Sequence, residues 1–166
     1  EVPGLTPERL QPRIAQTAKF LWLVYVGLTA AQIVLYLFGG MGLFDAVNHA
    51  FATLATGGFS TRTASLAAFE SPYLQYVTVV FMCLAAMNFS LHYRAATGRF
   101  DYWRNQEWKF LMMVVLVSTG LVMAANFRAG DHAVTAAGLE EGFRDAVFQV
   151  TSIVSTTGFV SADYER

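Results

Sequence analysis

Charge is scarce in this chain. Of 166 residues only 14% are Asp, Glu, Lys or Arg, while 55% are hydrophobic and mean hydropathy is +0.42. A water-soluble protein of this size needs more charge than that to cover its surface. The net charge of −1 and the lack of any basic stripe leave nothing for nucleic acid to bind. Cysteine is almost absent: Cys83 stands alone inside an apolar run, which excludes an intrachain disulfide and a thiolate metal site. His49, His92 and His132 lack metal-ligand spacing, and there is no G-x-S-x-G or phosphate-loop pattern. Gly57-Gly58 is not a dinucleotide fingerprint. An enzyme is therefore disfavoured, and neither a cofactor nor a metal centre is expected. The first apolar run begins only at Phe20, is too long for a signal-peptide core and has no convincing cleavage site. What remains is the composition of an integral membrane protein.

Long apolar runs are present. Residues 1–18 are polar, and Thr6-Pro7-Glu8-Arg9 has the form of a helix start, predicting a short surface helix. Phe20 to Phe38 is long enough for a first span and ends at Gly39-Gly40, with Trp22, Tyr25 and Tyr36 expected near its headgroup ends. Ser71-Pro72 opens a second span, Tyr73 to about Tyr93, in which Asn88 and His92 lie four apart on one face. They either satisfy each other or a backbone carbonyl, or they line an aqueous path. After a polar connector, Phe110 to Phe127 forms a third span. The N-terminal segment and the 94–109 connector hold seven of the eleven Lys and Arg residues, which predicts that both are cytoplasmic.

Between these spans a motif occurs twice, one hundred residues apart and without gaps. Asp45/Asp145, Ala46/Ala146, Val47/Val147, Thr56/Thr156, Gly58/Gly158 and Phe59/Phe159 are identical, the mark of an internal repeat. Each copy reads as a short apolar helix, Phe44–Ala55 or Phe143–Ser155, that stops at a Thr-x-Gly-Phe loop. Asp45 is placed to cap the first. Such a helix covers roughly 18 Å, too little for a bilayer core of about 30 Å, so a re-entrant pore helix is predicted.

Irregular backbone at membrane depth is tolerated only where protein buries it or water lines it. A short helix entering from outside points its partly negative C-terminus at the membrane centre, which favours a cation. Carbonyls of the following loop can then replace an ion's water shell. Gly58 and Gly158 supply the unusual backbone angles, Thr56 and Thr156 a hydroxyl, and Phe59 and Phe159 a wedge against the surrounding helices. No carboxylate lies in these segments, so selectivity rests on carbonyl dipoles. Loop physics alone admits K⁺ or Na⁺, and a channel or a coupled symporter.

The segments Ala55-Thr-Gly-Gly-Phe-Ser-Thr61 and Ser155-Thr-Thr-Gly-Phe159 resemble the filter loops of the Trk/Ktr/HKT potassium transporters, closest to the bacterial TrkH type. Phe44-Asp-Ala, Pro12-Arg-Ile-Ala and Phe148-Gln-Val fit the same type. The resemblance covers nearly the whole chain. It implies an all-α, potassium-channel-like fold of repeated helix–pore helix–filter loop–helix units, pseudo-fourfold in a full-length member of the cytoplasmic membrane. It implies potassium ion as transported ligand and Thr56, Gly57, Gly58, Phe59, Thr156, Thr157, Gly158 and Phe159 as filter residues. It also implies a homodimer, a cytosolic nucleotide-binding regulatory subunit, membrane lipid and the remaining repeats as partners. The expected layout is a cytoplasmic segment 1–18, a first repeat 19–93, a connector 94–108, and a second repeat 109–166 that stops before its closing helix. The alternatives are a non-conducting membrane structural or interaction fragment, in which the loops are plain turns, and a Na⁺-permeable relative.

Overall fold

The computed structural model describes residues 7–129 and 135–162, and these are helical with no strand. Helix α1 runs Pro7–Phe38, α2 Leu43–Leu54, α3 Pro72–Ala85, α4 Phe89–Ala96, α5 Gln106–Ala129 and α6 Ala136–Val154. Short 3-10 turns occupy Ser65–Ala68 and Tyr102–Arg104. Helix α2 lies between α1 and α3, α6 packs on α3 and α5, and α4 rests against α1. The order across the molecule is thus α1, α2, α3, α6, α5, with the two short-helix units joined through α3 and α6.

Among the described residues, two helices are long and apolar enough to cross a bilayer, Thr17–Phe38 and Gln106–Ala129. At about 1.5 Å per residue they reach beyond the roughly 30 Å of hydrocarbon. The expected surface helix is not separate: α1 is continuous from Pro7, because nothing between Pro12 and Lys19 breaks the backbone ladder. Thr6 lies outside the described residues. Helix α1 ends as its glycines predict. Gly40 takes φ +83, and the amides of Gly40 and Met41 turn back onto Leu37 and Tyr36 at 3.0 and 3.1 Å.

Tyr36 does not face outward from the helix bundle. It is fully buried, and its hydroxyl accepts from Gln32 Nε2 (2.7 Å) and donates to Thr78 Oγ1 (2.8 Å), which itself donates to the Leu74 carbonyl (2.8 Å). A phenol drawn inward by two polar partners joins α1 to α3 beside α2. Trp22 does stay exposed.

The predicted second span is broken. Helices α3 and α4 meet at 100°, because the Asn88 side chain takes the Ser90 amide (3.0 Å) and starts a new helix. His92 does not pair with Asn88. Its Nε2 donates to the Leu84 carbonyl (2.9 Å) and its Nδ1 accepts from the Tyr102 hydroxyl (3.0 Å), so the ring seals the break. That is the backbone-carbonyl alternative rather than the aqueous path.

Helix α6 starts at Ala136, seven residues before the predicted Phe143. Thr135 caps it by accepting the Gly138 amide at 3.1 Å. Gly138, Gly142 and Ala146, at four-residue spacing, are all buried, which lets a helix backbone approach its neighbours closely.

Candidate functional site

Helices α2 and α6 end in the same way, although α6, at nineteen residues against twelve, is longer than the expected short helix and only α2 is too short to cross a bilayer core. Thr56 and Thr156 take φ +51 and +60, and Gly58 and Gly158 take +64 and +85. In the first loop the Thr56 amide donates to the Thr53 carbonyl (3.0 Å), and the amides of Gly57 and Gly58 share the Ala52 carbonyl (2.8 and 3.3 Å). In the second, Thr156 donates to Ile153 (3.0 Å), and Thr157 and Gly158 share Ser152 (3.0 and 3.3 Å). This is a Schellman termination with threonine at the left-handed position that usually belongs to glycine. A β-branched residue there is a true outlier, strained by about 1–3 kcal/mol. Both copies carry it.

The hydrogen-bond pattern decides which carbonyls are left. The caps use those of residues 51–53 and 151–153. Among the described residues, no backbone amide is bonded to the carbonyls of 55–58 or 155–158. Each loop therefore offers a run of such carbonyls at the negative end of a helix.

The loops touch. A Cβ added at Gly58 would run into the Thr157 carbonyl, so only glycine permits this approach. Beyond the loops, the Ala67 amide donates to the Val160 carbonyl (3.1 Å) and the Val160 amide to Ser65 Oγ (3.3 Å). At Gly158 the same imaginary Cβ meets no atom within 4 Å.

Each loop is tethered differently. Asp45 does not cap α2: Gly42 sits at the N-cap position, with no side-chain cap. The Asp45 carboxylate instead accepts from Thr61 Oγ1 (2.6 Å) and Arg62 Nη2 (2.7 Å), tying the loop's exit to the helix start. The Thr61 hydroxyl first, and then the Arg62 guanidinium, hold its carboxyl below the usual carboxylate range. The second loop carries hydroxyls where the first has Ala52, Ala55 and Gly57. Ser152 Oγ donates to the Phe159 carbonyl (2.7 Å), and Thr157 Oγ1 lies 2.7 Å from Ser155 Oγ. The Thr157 side chain is thereby buried, and the carbonyl is what this residue presents.

Of the sequence-predicted residues, Thr56, Gly57, Gly58, Thr156, Thr157 and Gly158 fall in the two facing loops. Phe159 is fully buried as a wedge, but Phe59 is 81% exposed, because no described part of the chain lies against it. Sequence reasoning missed Ser60, Thr61, Arg62, Ser152 and Ser155. A signal existed for one of them, since a hydroxyl follows the conserved-offset Asp by sixteen residues in both copies, Thr61 and Ser161. Among the described residues, no three His, Cys, Asp or Glu side chains gather as a metal site.

The sequence pattern of the TrkH family, described as cation transport protein, matches residues 6–101. The chain is 39% identical over 169 residues to the Trk system potassium uptake protein TrkH of Escherichia coli K12, covering 100% of this chain and 34% of that protein. It is 37% identical to TrkH of Halomonas elongata, covering 99% of this chain and 34% of that protein, and 31% identical to Escherichia coli TrkG, covering 99% and 33%. The crystal structure of the potassium transporter TrkH from Vibrio parahaemolyticus superposes with a TM-score of 0.84 at 34% identity, covering 97% of this chain and 33% of that one. The chain thus spans about a third of the length of these relatives. With its apolar spans and paired re-entrant helices, it belongs to the TrkH family of cation transport proteins, multi-pass proteins of the cytoplasmic membrane.

Proposed function

We propose that the chain forms two adjoining walls of a potassium path, in which the carbonyls of 55–58 and 155–158 replace water around a dehydrated K⁺ ion. The observation that carries this is the matching cap pattern of the two loops, strained threonine included, with carbonyls left unbonded by backbone amides at two helix C-termini. Plain turns need neither the strain nor the repetition. Thr56, Gly57, Gly58, Phe59, Thr156, Thr157, Gly158 and Phe159 make up these walls, and the reaction is ion translocation without covalent chemistry.

Further walls come from other repeats of a longer transporter. Phe59 is bare where Phe159 is covered, and Gly158 faces open space where Gly58 faces a loop. One more unit on each side would fill both vacancies by repeating the contact already made between these two. In this reading 19–93 and 109–166 are the two units and 94–108 is a cytoplasmic connector, as the Lys and Arg distribution favours. A homodimer and a cytosolic nucleotide-binding regulatory subunit complete the assembly.

The test is K⁺, Rb⁺ and Na⁺ flux through the full-length transporter carrying Gly58→Ser, Gly158→Ser or Gly98→Ser at matched expression. Gly98, in the connector, also has a positive φ (+86) and open space, so it controls for backbone strain alone. The two loop variants should lose K⁺ flux about five- to 150-fold, from about 1–3 kcal/mol at the ion, and the control should not. Sodium flux should fall less. Loop variants that match the control in rate and ion preference would leave the non-conducting alternative standing.

A further inference from the structure

The His49 side chain reaches the exit of the first loop and the phenylalanine of the second. It sits in the middle of α2 and is fully buried. Its Nδ1–H donates to the Asp45 carbonyl at 2.7 Å, one turn back along the helix. With that proton fixed, Nε2 is the acceptor, and it takes the hydroxyl proton of Ser60 at 2.8 Å. Ser60 immediately follows Phe59, so this bond pins the exit of the first loop. Ser60 Oγ in turn accepts the Arg62 amide (3.0 Å), which extends the hold into the Asp45–Thr61–Arg62 tether.

The face of the same ring lies on the second loop. The imidazole and the Phe159 ring stack with centroids 5.9 Å apart and an interplanar angle of 29°. Phe69 meets the imidazole edge-on at 5.4 Å and 90°, closing the other side. Phe159 is fully buried and its carbonyl is held by Ser152, so it has little freedom to reposition independently of the imidazole.

We propose that His49 is a positioning residue for selectivity: it sets the second filter loop, through Phe159, in register with the first, through Ser60. The inference rests on the filter reading given above. The second pore helix has Gln149 at the matching place, and its buried Oε1 has no donor among the described residues. A histidine here is therefore not a requirement of the short-helix fold as such. It is the choice made where one loop must be set against another.

Two substitutions separate the two holds. His49→Gln keeps a donor and an acceptor but removes the ring face; His49→Phe keeps the ring but breaks the bond to Ser60. Ser60→Ala removes that bond from the other side without touching the buried ring. The experiment is K⁺, Rb⁺ and Na⁺ flux through the full-length transporter in liposomes, with Vmax and KM for K⁺ and the fraction of folded protein measured in parallel. The expected result for His49→Phe and for Ser60→Ala is a K⁺/Na⁺ preference reduced about two- to tenfold, the worth of one hydrogen bond. The double variant should be no worse than the more affected single one, because both remove the same contact. His49→Gln should lose preference through the second loop even where Ser60 stays bonded. If preference is unchanged in Ser60→Ala and in whichever His49 variant folds, while Gly158→Ser still abolishes it, the positioning role is wrong and the filter reading stands. If Gly158→Ser is also silent, the filter reading itself has failed.

Discussion

The two loops share a cap pattern and differ in how their glycine and phenylalanine pack. Loop 55–59 packs its glycine against a neighbour and leaves its phenylalanine bare, whereas loop 155–159 leaves its glycine open and covers its phenylalanine. The first is held from outside by an acid, a histidine and an arginine, the second from within by three hydroxyls. Backbone shape at such a site is therefore set by the Thr-x-Gly pattern and the helix cap, while the tethers are free to vary. A sequence match confined to six positions is enough to repeat the dihedral angles, and too little to repeat the environment.

The largest expected effect comes from the phenylalanines. Phe159→Ala empties a fully buried site and should cost about 3–5 kcal/mol in thermal or denaturant unfolding of this chain in detergent. Phe59→Ala, at a site 81% exposed, should cost little by the same measurement. In a full-length transporter with a unit docked on Phe59, the two losses should become similar. Equal costs in the isolated chain would break the comparison.

Next come the glycines. Gly58→Ala adds a clash with the Thr157 carbonyl to the left-handed strain, whereas Gly158→Ala adds strain alone, on the order of 1 kcal/mol. Chemical denaturation of the two variants side by side should place Gly58→Ala well below Gly158→Ala in stability. Indistinguishable midpoints would mean that the loops do not meet at Gly58.

The smallest is an acid effect at the first loop. The Asp45 carboxyl titrates below its unfolded value of about 3.9, because Thr61 and Arg62 favour the charged form. A depressed folded pKa gives stability that is complete above the unfolded pKa and is lost as pH falls through the folded one. Melting temperature should therefore drop more steeply below about pH 4 in the wild type than in Asp45→Asn. At neutral pH the variant should already be weaker by about 1.5–3 kcal/mol, the range for hydrogen bonds to a charged group. Parallel acid slopes for the two proteins would remove Asp45 from the tether.

Much of this was legible in the sequence because it is written locally. Helix α2, the left-handed glycines and the spans α1 and α5 each follow from periodicity, length and a stop signal within a few residues, whereas α6 extends to nineteen residues and the second span breaks at Asn88. What was not legible depends on partners far along the chain. Tyr36 looks like a headgroup aromatic until Thr78, forty-two residues on, gives its hydroxyl a buried acceptor. Nothing around Asn88 marks a break in an apolar run, since an asparagine tolerated in a span and one that caps a new helix read alike. His49 carries no motif, and its weight comes from Phe159, on the other repeat. The positive φ of Thr56 and Thr156 ran against the rule that assigns such positions to glycine.

The pairing of Gly57 with Thr157, and of His49 with Gln149, has a consequence for how such a path can change. In a pore assembled from identical subunits, one codon alters every wall together. Here the two loops are written at separate places in one gene, so either can drift, be tuned or fail while its neighbour keeps its original form. The buried Thr157–Ser155 pair and the His49–Ser60 contact show two loops that have already gone their own way.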